Sequence, residues 1–113
     1  MSAREDIAAA ASAPGITIKP WYEQQTRPGT GFVRTAADSR PSDNGFGWMV
    51  GYDVLVWLPQ DLRKAEEWLD ENMVPMVERL RRELDVEAFG PQTVVLDTGA
   101  GAYALVINGV RGT

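Results

Sequence analysis

One stretch near the middle of the chain decides its fold: Phe46-Gly47-Trp48-Met49-Val50-Gly51-Tyr52-Asp53-Val54-Leu55-Val56-Trp57-Leu58. Every second residue from Phe46 to Leu58 is apolar, and this spacing of two predicts a β-strand with one buried face. The last five residues are apolar on both faces. We therefore expect a central strand whose second half is covered on both sides.

A long helix is predicted directly after this strand, from Asp61 to Asp85. Asp61 is a suitable N-cap, because its carboxylate can accept hydrogen bonds from the first backbone amides. Apolar residues then recur at spacings of three and four, which is typical of one buried helix face: Leu62, Ala65, Leu69, Met73, Met76, Val77, Leu80 and Leu84. Pro75 lies inside this pattern and predicts a kink near Asn72, since proline removes a backbone donor and clashes with the preceding turn.

The N-terminal third of the chain predicts a short helix and two strands. Ser2-Ala3-Arg4-Glu5 has the pattern of a capping box, which begins a helix from Ala3 to Ala13. Ile16 to Lys19 alternates as a strand does, and Pro20 predicts that this strand lies at an edge of the sheet. Gly31 to Thr35 predicts a second strand, joined to the first as a hairpin.

The remaining segments complete an α+β fold. Residues 36–45 are predicted to form a loop, while Thr93 to Asp97 and Ala102 to Asn108 form an antiparallel pair around a glycine-rich turn. The resulting order is α-β-β-β-α-β-β within a single domain of residues 1–113. Without β-α-β alternation, this order predicts a mainly antiparallel sheet with the N-terminal helix and one long kinked helix packed on it.

Composition narrows the classes of function. The chain has 113 residues, 11 Lys and Arg against 16 Asp and Glu, and neither His nor Cys. The absence of these two residue types excludes disulfides, thiolate nucleophiles and imidazole bases, so an enzyme is not the expected class. The net charge of −5 argues against broad binding to nucleic acid or to anionic lipid. No apolar run approaches the roughly 20 residues that span a bilayer, so no membrane partner is expected.

Two motifs invite a ligand-binding interpretation. The run from Gly99 to Ala104 resembles the Gly-x-Gly-x-x-Ala dinucleotide fingerprint, but a strand rather than a helix is predicted after it, which favours a hairpin turn. Asp38, Asp43 and Asn44 offer oxygen ligands for a metal ion. Their spacing does not fit a calcium loop, and a surface loop that contacts a partner is the favoured interpretation.

Carboxylates and tryptophans supply the remaining candidates. Asp53 and Asp97 lie in predicted strands, where a carboxyl pair could do acid–base work. We favour a strand-face carboxylate that meets an arginine within or between subunits. Trp21 and Trp68 are placed where a tryptophan can anchor an interface. The candidate assembly interface, which combines these tryptophans with the loop, is Trp21, Asp38, Arg40, Asp43, Asn44 and Trp68.

The run from Gly45 to Asp61 leads into Ala65-Glu66-Glu67-Trp68-Leu69 and is followed by residues 93–98 and 105–109. Together with the N-terminal helix, this arrangement resembles the tail terminator proteins of long-tailed bacteriophages, particularly those of actinobacterial phages. The resemblance implies a virion subunit, assembled in the host cytoplasm, with no active site and no cofactor. It further implies a hexameric ring that caps the tail tube, stops its polymerisation and offers a surface to the head connector.

Simple geometry agrees with a hexamer. A compact domain of this length is about 34 Å across, so six in a ring leave a hole of about 34 Å and four leave about 14 Å, against about 20 Å for duplex DNA. Acidic side chains facing that hole, with the helix from residue 61 onward as one candidate, would let DNA pass without binding. Two alternatives stay open: another connector or stopper protein of the phage neck, and a small ligand-binding module or enzyme that uses the turn from Gly99 to Gly101.

Overall fold

Two helices and six strands are formed by the residues that the computed structural model describes, which are 2–37, 39–42 and 45–112. In chain order they are α1 (Ala3–Ala11), β1 (Thr17–Lys19), β2 (Thr30–Thr35), β3 (Arg40–Pro41), β4 (Trp48–Trp57), α2 (Leu62–Leu80), β5 (Asp85–Val95) and β6 (Gly101–Gly112). The α+β prediction is confirmed. The short strand β3 is an addition, and it lies inside the segment predicted to be a loop.

The strands form one sheet in the order β1-β2-β4-β6-β5, with β3 paired to the beginning of β4. All neighbouring strands are antiparallel except β1 and β2. The predicted hairpin between β1 and β2 is therefore wrong, because these strands run parallel and pair Thr17 with Thr30. The intervening segment, residues 20–28, leaves the edge of the sheet before the chain returns in the same direction.

Both faces of the sheet are covered at the end of β4, as the sequence predicted. On the helix face, Val54 and Val56 belong to a core shared with Ile7 of α1 and with Leu69 and Leu80 of α2. On the second face, a separate cluster comprises Phe32, Leu55, Trp57, Val94, Ala102, Ala104 and Val106. Residues 20–28 run beside this second cluster. The aromatic ring of Tyr22 lies edge-on to that of Phe32, with their centroids 5.0 Å apart.

Local chemistry fixes the beginning of each helix. Ser2 and Glu5 form the predicted capping box, in which the Glu5 amide donates to Ser2 Oγ and the Ser2 amide donates to Glu5 Oε1. Helix α1 ends at Ala11, two residues earlier than predicted, because Ser12 Oγ donates to the Ala8 carbonyl and accepts from the Ile18 amide. This serine thereby attaches the end of α1 to β1.

Helix α2 is shorter than the sequence predicted. Asp61 is its N-cap, and the Asp61 carboxylate accepts from the Lys64 amide at 3.1 Å. The helix continues through Pro75 and ends at Leu80, whereas Asp85 already pairs with Val110 in the sheet. Leu84 is buried, although a turn and not the helix places it there. The kink expected at Pro75 stays a prediction.

One glycine allows two strands to approach closely. Gly31 of β2 faces Val56 of β4. A Cβ atom at position 31 would overlap the carbonyl oxygen of Leu55 and lie 2.8 Å from its carbonyl carbon. No larger residue fits here unless β2 moves away from β4.

Neither helix within the described part of the chain is long and apolar enough to cross a membrane.

Candidate assembly surfaces

Trp21 is held on the surface by an arginine. Its side chain is 61% exposed, and the Arg4 guanidinium lies 4.5 Å from the centroid of its ring. The same guanidinium donates to the Val33 carbonyl at 2.8 Å and to Thr35 Oγ1 at 2.6 Å. Arg4 therefore holds the Trp21 indole in its outward position while it is itself hydrogen-bonded to β2. This is the arrangement expected of an interface anchor, and the anchoring role stays a prediction.

Trp68 is placed differently. It packs against the helix-face core and is less exposed than Trp21, so much of its surface is already used within the subunit. The Trp68 carbonyl accepts from the Asn72 side chain at 3.0 Å. Trp68 therefore offers less surface to a second molecule than Trp21 does.

Arg40 is the one residue of the predicted loop cluster that the structure describes. It lies in β3 opposite Met49, and its guanidinium is 3.5 Å from the Glu87 carboxylate of β5. Asp38, Asp43 and Asn44 lie outside the described residues. Within residues 2–37, 39–42 and 45–112, no three acidic side chains are grouped closely enough to hold a metal ion.

Two exposed aromatic side chains lie where β4 begins, namely Phe46 in the turn before the strand and Trp48 as its first residue. Phe46 is 83% exposed and Trp48 is 60% exposed. Ser42 Oγ donates to the Phe46 carbonyl at 2.6 Å, and the Ser42 amide donates to the Gly47 carbonyl at 3.2 Å. We call residues 45–48 the aromatic tip. The predicted beginning of the strand is corrected here, because β4 begins at Trp48 and not at Phe46.

Two glycines explain why the strand begins late. Gly45 and Gly47 have φ angles of 77° and 83°, a left-handed conformation that side chains disfavour. Such angles interrupt the extended backbone at both positions. The pair of glycines that flanks Phe46 was therefore the signal that could have identified a turn here.

A groove lies between the C-terminal half of α2 and β5. It has a volume of about 730 Å³, and its apolar wall includes Val74 and Val77 of α2 together with Val86 and Phe89 of β5. Val74 and Phe89 are each about half exposed. We call this feature the apolar groove. Sequence reasoning did not identify it, because its two walls come from elements that are adjacent only in the folded chain.

The rim of the apolar groove is charged. Arg81 and Arg82 are exposed there, and the groove extends to Met49 at the beginning of β4. Glu83 also lines the groove, and its carboxylate accepts from Arg111 at 2.6 Å. An apolar wall within a charged rim resembles the layout of a protein–protein interface.

The two carboxylates considered for acid–base work are each engaged within the chain. Asp53 accepts from Arg34 Nε and from Asn108 Nδ2, both at 3.0 Å. The interpretation of Asp53 as a strand-face carboxylate that meets an arginine is confirmed. Asp97 accepts from Tyr22 Oη and from the Gln24 side-chain amide, both at 3.2 Å.

The pKa of the Tyr22 phenol is raised in this arrangement. Desolvation of its phenol raises the pKa of Tyr22, and the hydrogen bond to Asp97 and the charge of that carboxylate raise it further. The contact attaches residues 20–28 to the end of β5. We therefore assign Asp97 a structural part in covering the second face of the sheet.

The glycine-rich turn is a hairpin turn, as favoured from the sequence. The Leu96 amide donates to the Ala100 carbonyl at 2.7 Å, and Gly99 has a φ of 88°. Strand β6 begins at Gly101, so no helix N-terminus follows the glycines. The dinucleotide fingerprint lacks the element that would bind a pyrophosphate.

The solvent face of α2 is rich in acids. Five carboxylates along it are exposed: Glu66, Glu67, Asp70, Glu71 and Glu78. Glu67 pairs with Arg63 at 3.2 Å and Glu78 lies 3.8 Å from Arg81. The middle of the helix therefore presents mainly negative charge.

Comparison with known proteins adds no family to this description: the sequence matches no protein-family model and no curated protein.

Proposed function

We propose that this chain is a structural virion subunit of the tail terminator type, which assembles into a ring, caps the tail tube and offers a surface to the head connector. One observation carries the proposal: a chain of 113 residues exposes several large apolar side chains. Trp21, the aromatic tip and the apolar groove are the main ones. Proteins that act alone rarely expose such patches, whereas interface centres are enriched in them.

The dimensions of the subunit are compatible with a six-membered ring. Its principal extents are 46, 30 and 24 Å. With the 30 Å extent along the circumference and the 24 Å extent along the radius, six copies enclose a hole of about 36 Å. Duplex DNA, about 20 Å wide, passes through such a hole with room for its hydration shell.

Charge supports the same proposal. The exposed carboxylates of α2 make this helix the candidate lining of the hole, where they would repel phosphates and prevent DNA from binding during passage. The proposed partners are thus further copies of the chain, the tail tube protein, a head–tail connector or stopper protein, and duplex DNA that passes without specific binding.

The test combines light scattering with negative-stain images of the purified chain, alone and with tail tube protein. Six-fold rings that cap tubes and halt their growth are the expected result. Rings that join only the head portal would instead identify a neck connector. A monomer that leaves tube growth unchanged would overturn the proposal.

A matched pair of variants tests whether Trp21 takes part in ring formation or tube capping. Trp21→Ala removes the indole held by Arg4, while Leu62→Ala removes an apolar side chain at the beginning of α2 that is 66% exposed. If Trp21 is an anchor, Trp21→Ala weakens ring formation or tube capping and Leu62→Ala does not. Equal behaviour of the two variants would remove Trp21 from the interface.

A further inference from the structure

We infer that β5 pairs with β5 of a second copy of this chain, so that two sheets join edge to edge around a two-fold axis. The contact surface is the outer edge of β5 from Phe89 to Val95. This contact goes beyond the proposed function and does not rest on it. Two copies related by a two-fold axis point in opposite directions, whereas the neighbours in a ring that caps a tube all point the same way.

The outer edge of β5 is defined by the direction of its backbone groups. Strand β5 is the last in the sheet order, and β6 is the one strand that pairs with it within residues 2–37, 39–42 and 45–112. Just beyond β5 the Leu96 amide still donates to the Ala100 carbonyl, so Leu96 points toward β6. Backbone groups alternate in direction along a strand. The residues that point outward are therefore Phe89, Pro91, Thr93 and Val95.

The opposite edge of the sheet is already closed. In β1 the Thr17 amide donates to the Gly29 carbonyl of the β2 side, so the backbone groups of Ile18 point outward. Ser12 Oγ accepts from the Ile18 amide at 3.1 Å and donates to the Ile18 carbonyl at 3.4 Å. The short strand β3 has 2 residues. Neither strand can pair along the length of β5, so the strand of this chain that matches its outer edge is β5 of another copy.

The outer edge of β5 lacks the charges that commonly keep two edges apart. Natural edge strands are often protected by charged side chains, by bulges or by proline. Residues 88–96 contain no charged side chain, although 24% of the chain is charged. The bulge of β5 lies between Val86 and Ala88, before this segment. Pro91 is outward-pointing, so it removes one donor from the edge and leaves its carbonyl free to accept.

One antiparallel register uses this edge most fully. When Gln92 lies opposite the partner's Gln92, Phe89 faces the partner's Val95 and Pro91 faces the partner's Thr93. Four residue pairs then exchange two hydrogen bonds each, except that the two pairs with Pro91 exchange one, so six of eight bonds form. Centring the contact on Thr93 instead leaves four. The register centred on Gln92 is therefore the one we infer.

The exposed side chains agree with this register. Phe89 is 47% exposed and Val95 is 71% exposed. Both lie on the face that carries the helices, because Phe89 pairs with Ile107 of the helix-face core and Val95 is an even number of residues further along. Aromatic and β-branched side chains that face each other across two strands stabilise the pair. The contact supplies two such pairs and covers apolar side chains that each copy leaves exposed.

Acids at the two ends limit the strength of the contact. Glu87 and Asp97 flank the uncharged segment, and the register brings Glu87 near the partner's Asp97. Like charges opposite each other destabilise paired strands. We therefore expect a weak dimer that depends on concentration and strengthens as salt screens these charges.

Cysteine trapping tests the register, and the chain has no cysteine of its own. Gln92 is exposed and lies on the inferred axis, where the two Cα atoms are about 4.5 Å apart and within reach of a disulfide. Gln92→Cys should therefore give a linked dimer on oxidation. The matched control is Val95→Cys, which is exposed on the same strand but about 20 Å from its own copy, so it should not link with itself. A mixture of Val95→Cys and Phe89→Cys should link, because these residues face each other.

Charge substitutions at the same position give a second test without cysteines. Sedimentation equilibrium of the wild type should show monomers and dimers. Gln92→Glu and Gln92→Lys each place like charges across the axis and should weaken dimerisation at least tenfold, while circular dichroism stays unchanged. An equimolar mixture of these two variants should recover dimerisation, because opposite charges then face each other.

Several results would overturn the inference. One is a wild type that stays monomeric up to about 1 mM. Another is Gln92→Cys that does not link, or Val95→Cys that links with itself as readily, which would show random collision. A mixture of Val95→Cys and Phe89→Cys that does not link would show that the strands do not meet in this antiparallel register. A mixture of Gln92→Glu and Gln92→Lys that stays monomeric would show that the two copies of residue 92 do not meet.

Discussion

Replacing Gly31 by alanine tests whether β2 and β4 approach as closely as the structure shows. The new Cβ would overlap the Leu55 carbonyl oxygen and lie 2.8 Å from its carbon and 3.0 Å from Val56 Cα. Ordinary contacts begin at 3.4 Å, and every atom in the way is backbone, so rotation of a side chain cannot relieve the overlap. Strand β2 must move.

The free-energy cost of moving β2 follows from the hydrogen bonds and core contacts that the movement disturbs. Stretching the two nearest ladder bonds loses about 1 kcal/mol each. Displacing Phe32 and Val33 from their two cores adds about 1–3 kcal/mol, as overpacking does elsewhere. We expect Gly31→Ala to lower the free energy of unfolding by about 3–5 kcal/mol, a large share of the roughly 5–15 kcal/mol that stabilises a small domain.

Urea unfolding followed by tryptophan fluorescence measures this free energy. The matched control is Gly90→Ala in β5, where an added Cβ meets no atom within 4 Å. It should leave stability unchanged or raise it by up to about 1 kcal/mol, because alanine restricts the unfolded chain. If Gly31→Ala unfolds within about 1 kcal/mol of the wild type, the close approach of the two strands is refuted.

Two further predictions concern single contacts. Asp61→Ala removes the acceptor for the Lys64 amide and should lower the free energy of unfolding by about 0.5–2 kcal/mol in the same urea assay, whereas Asp61→Ser should recover most of the loss. The pKa of the Tyr22 phenol should lie above its ordinary value of about 10. It can be measured as the difference between the ultraviolet titration curves of the wild type and of Tyr22→Phe. The raised pKa means that the folded state favours the protonated phenol. The contribution of Tyr22 to stability is therefore fully present below the pKa of the unfolded chain, and it is lost as the pH rises through the higher pKa of the folded state. Asp97→Asn should keep part of the elevation, because desolvation is its largest cause; a return to the ordinary value would contradict that order of causes.

The strongest sequence signals described local structure well. The apolar residues that end at Leu58 correctly predicted a strand whose second half is buried on both faces, and Ser2 and Asp61 correctly marked the beginnings of the helices. Each of these signals depends on residues within a few positions of one another. Local periodicity and capping are therefore sufficient to find them.

Helix ends were harder to predict. Leu84 continues the apolar spacing of α2, and its amide still donates to the Leu80 carbonyl at 2.8 Å after the helix has ended. The spacing of side chains thus stays helical while the backbone turns toward β5. Leu62 shows the reverse case, since it fits the spacing but is exposed at the beginning of the helix.

The direction of β2 had no local signal. The turn residues before Gly29 are equally compatible with a hairpin and with a longer excursion. The contact that fixes residues 20–28 across the second face joins Tyr22 to Asp97, at the far end of β5. Such a pairing is visible only once the sheet has formed. The apolar groove was not predicted from the sequence, because its two walls likewise come together only in the folded chain.

The place of β6 in the sheet has a consequence for the order of folding. This strand is the last in the chain, yet it lies between β4 and β5 and pairs with both. Asp53 faces Asn108, about 55 residues later, so the central ladder closes a long loop and should form slowly relative to the helices. Val110 and Arg111 of β6 also line the apolar groove. A chain whose β6 has not yet paired therefore lacks one wall of the apolar groove. Any partner that binds in this groove can recognise only a chain in which the sheet is complete.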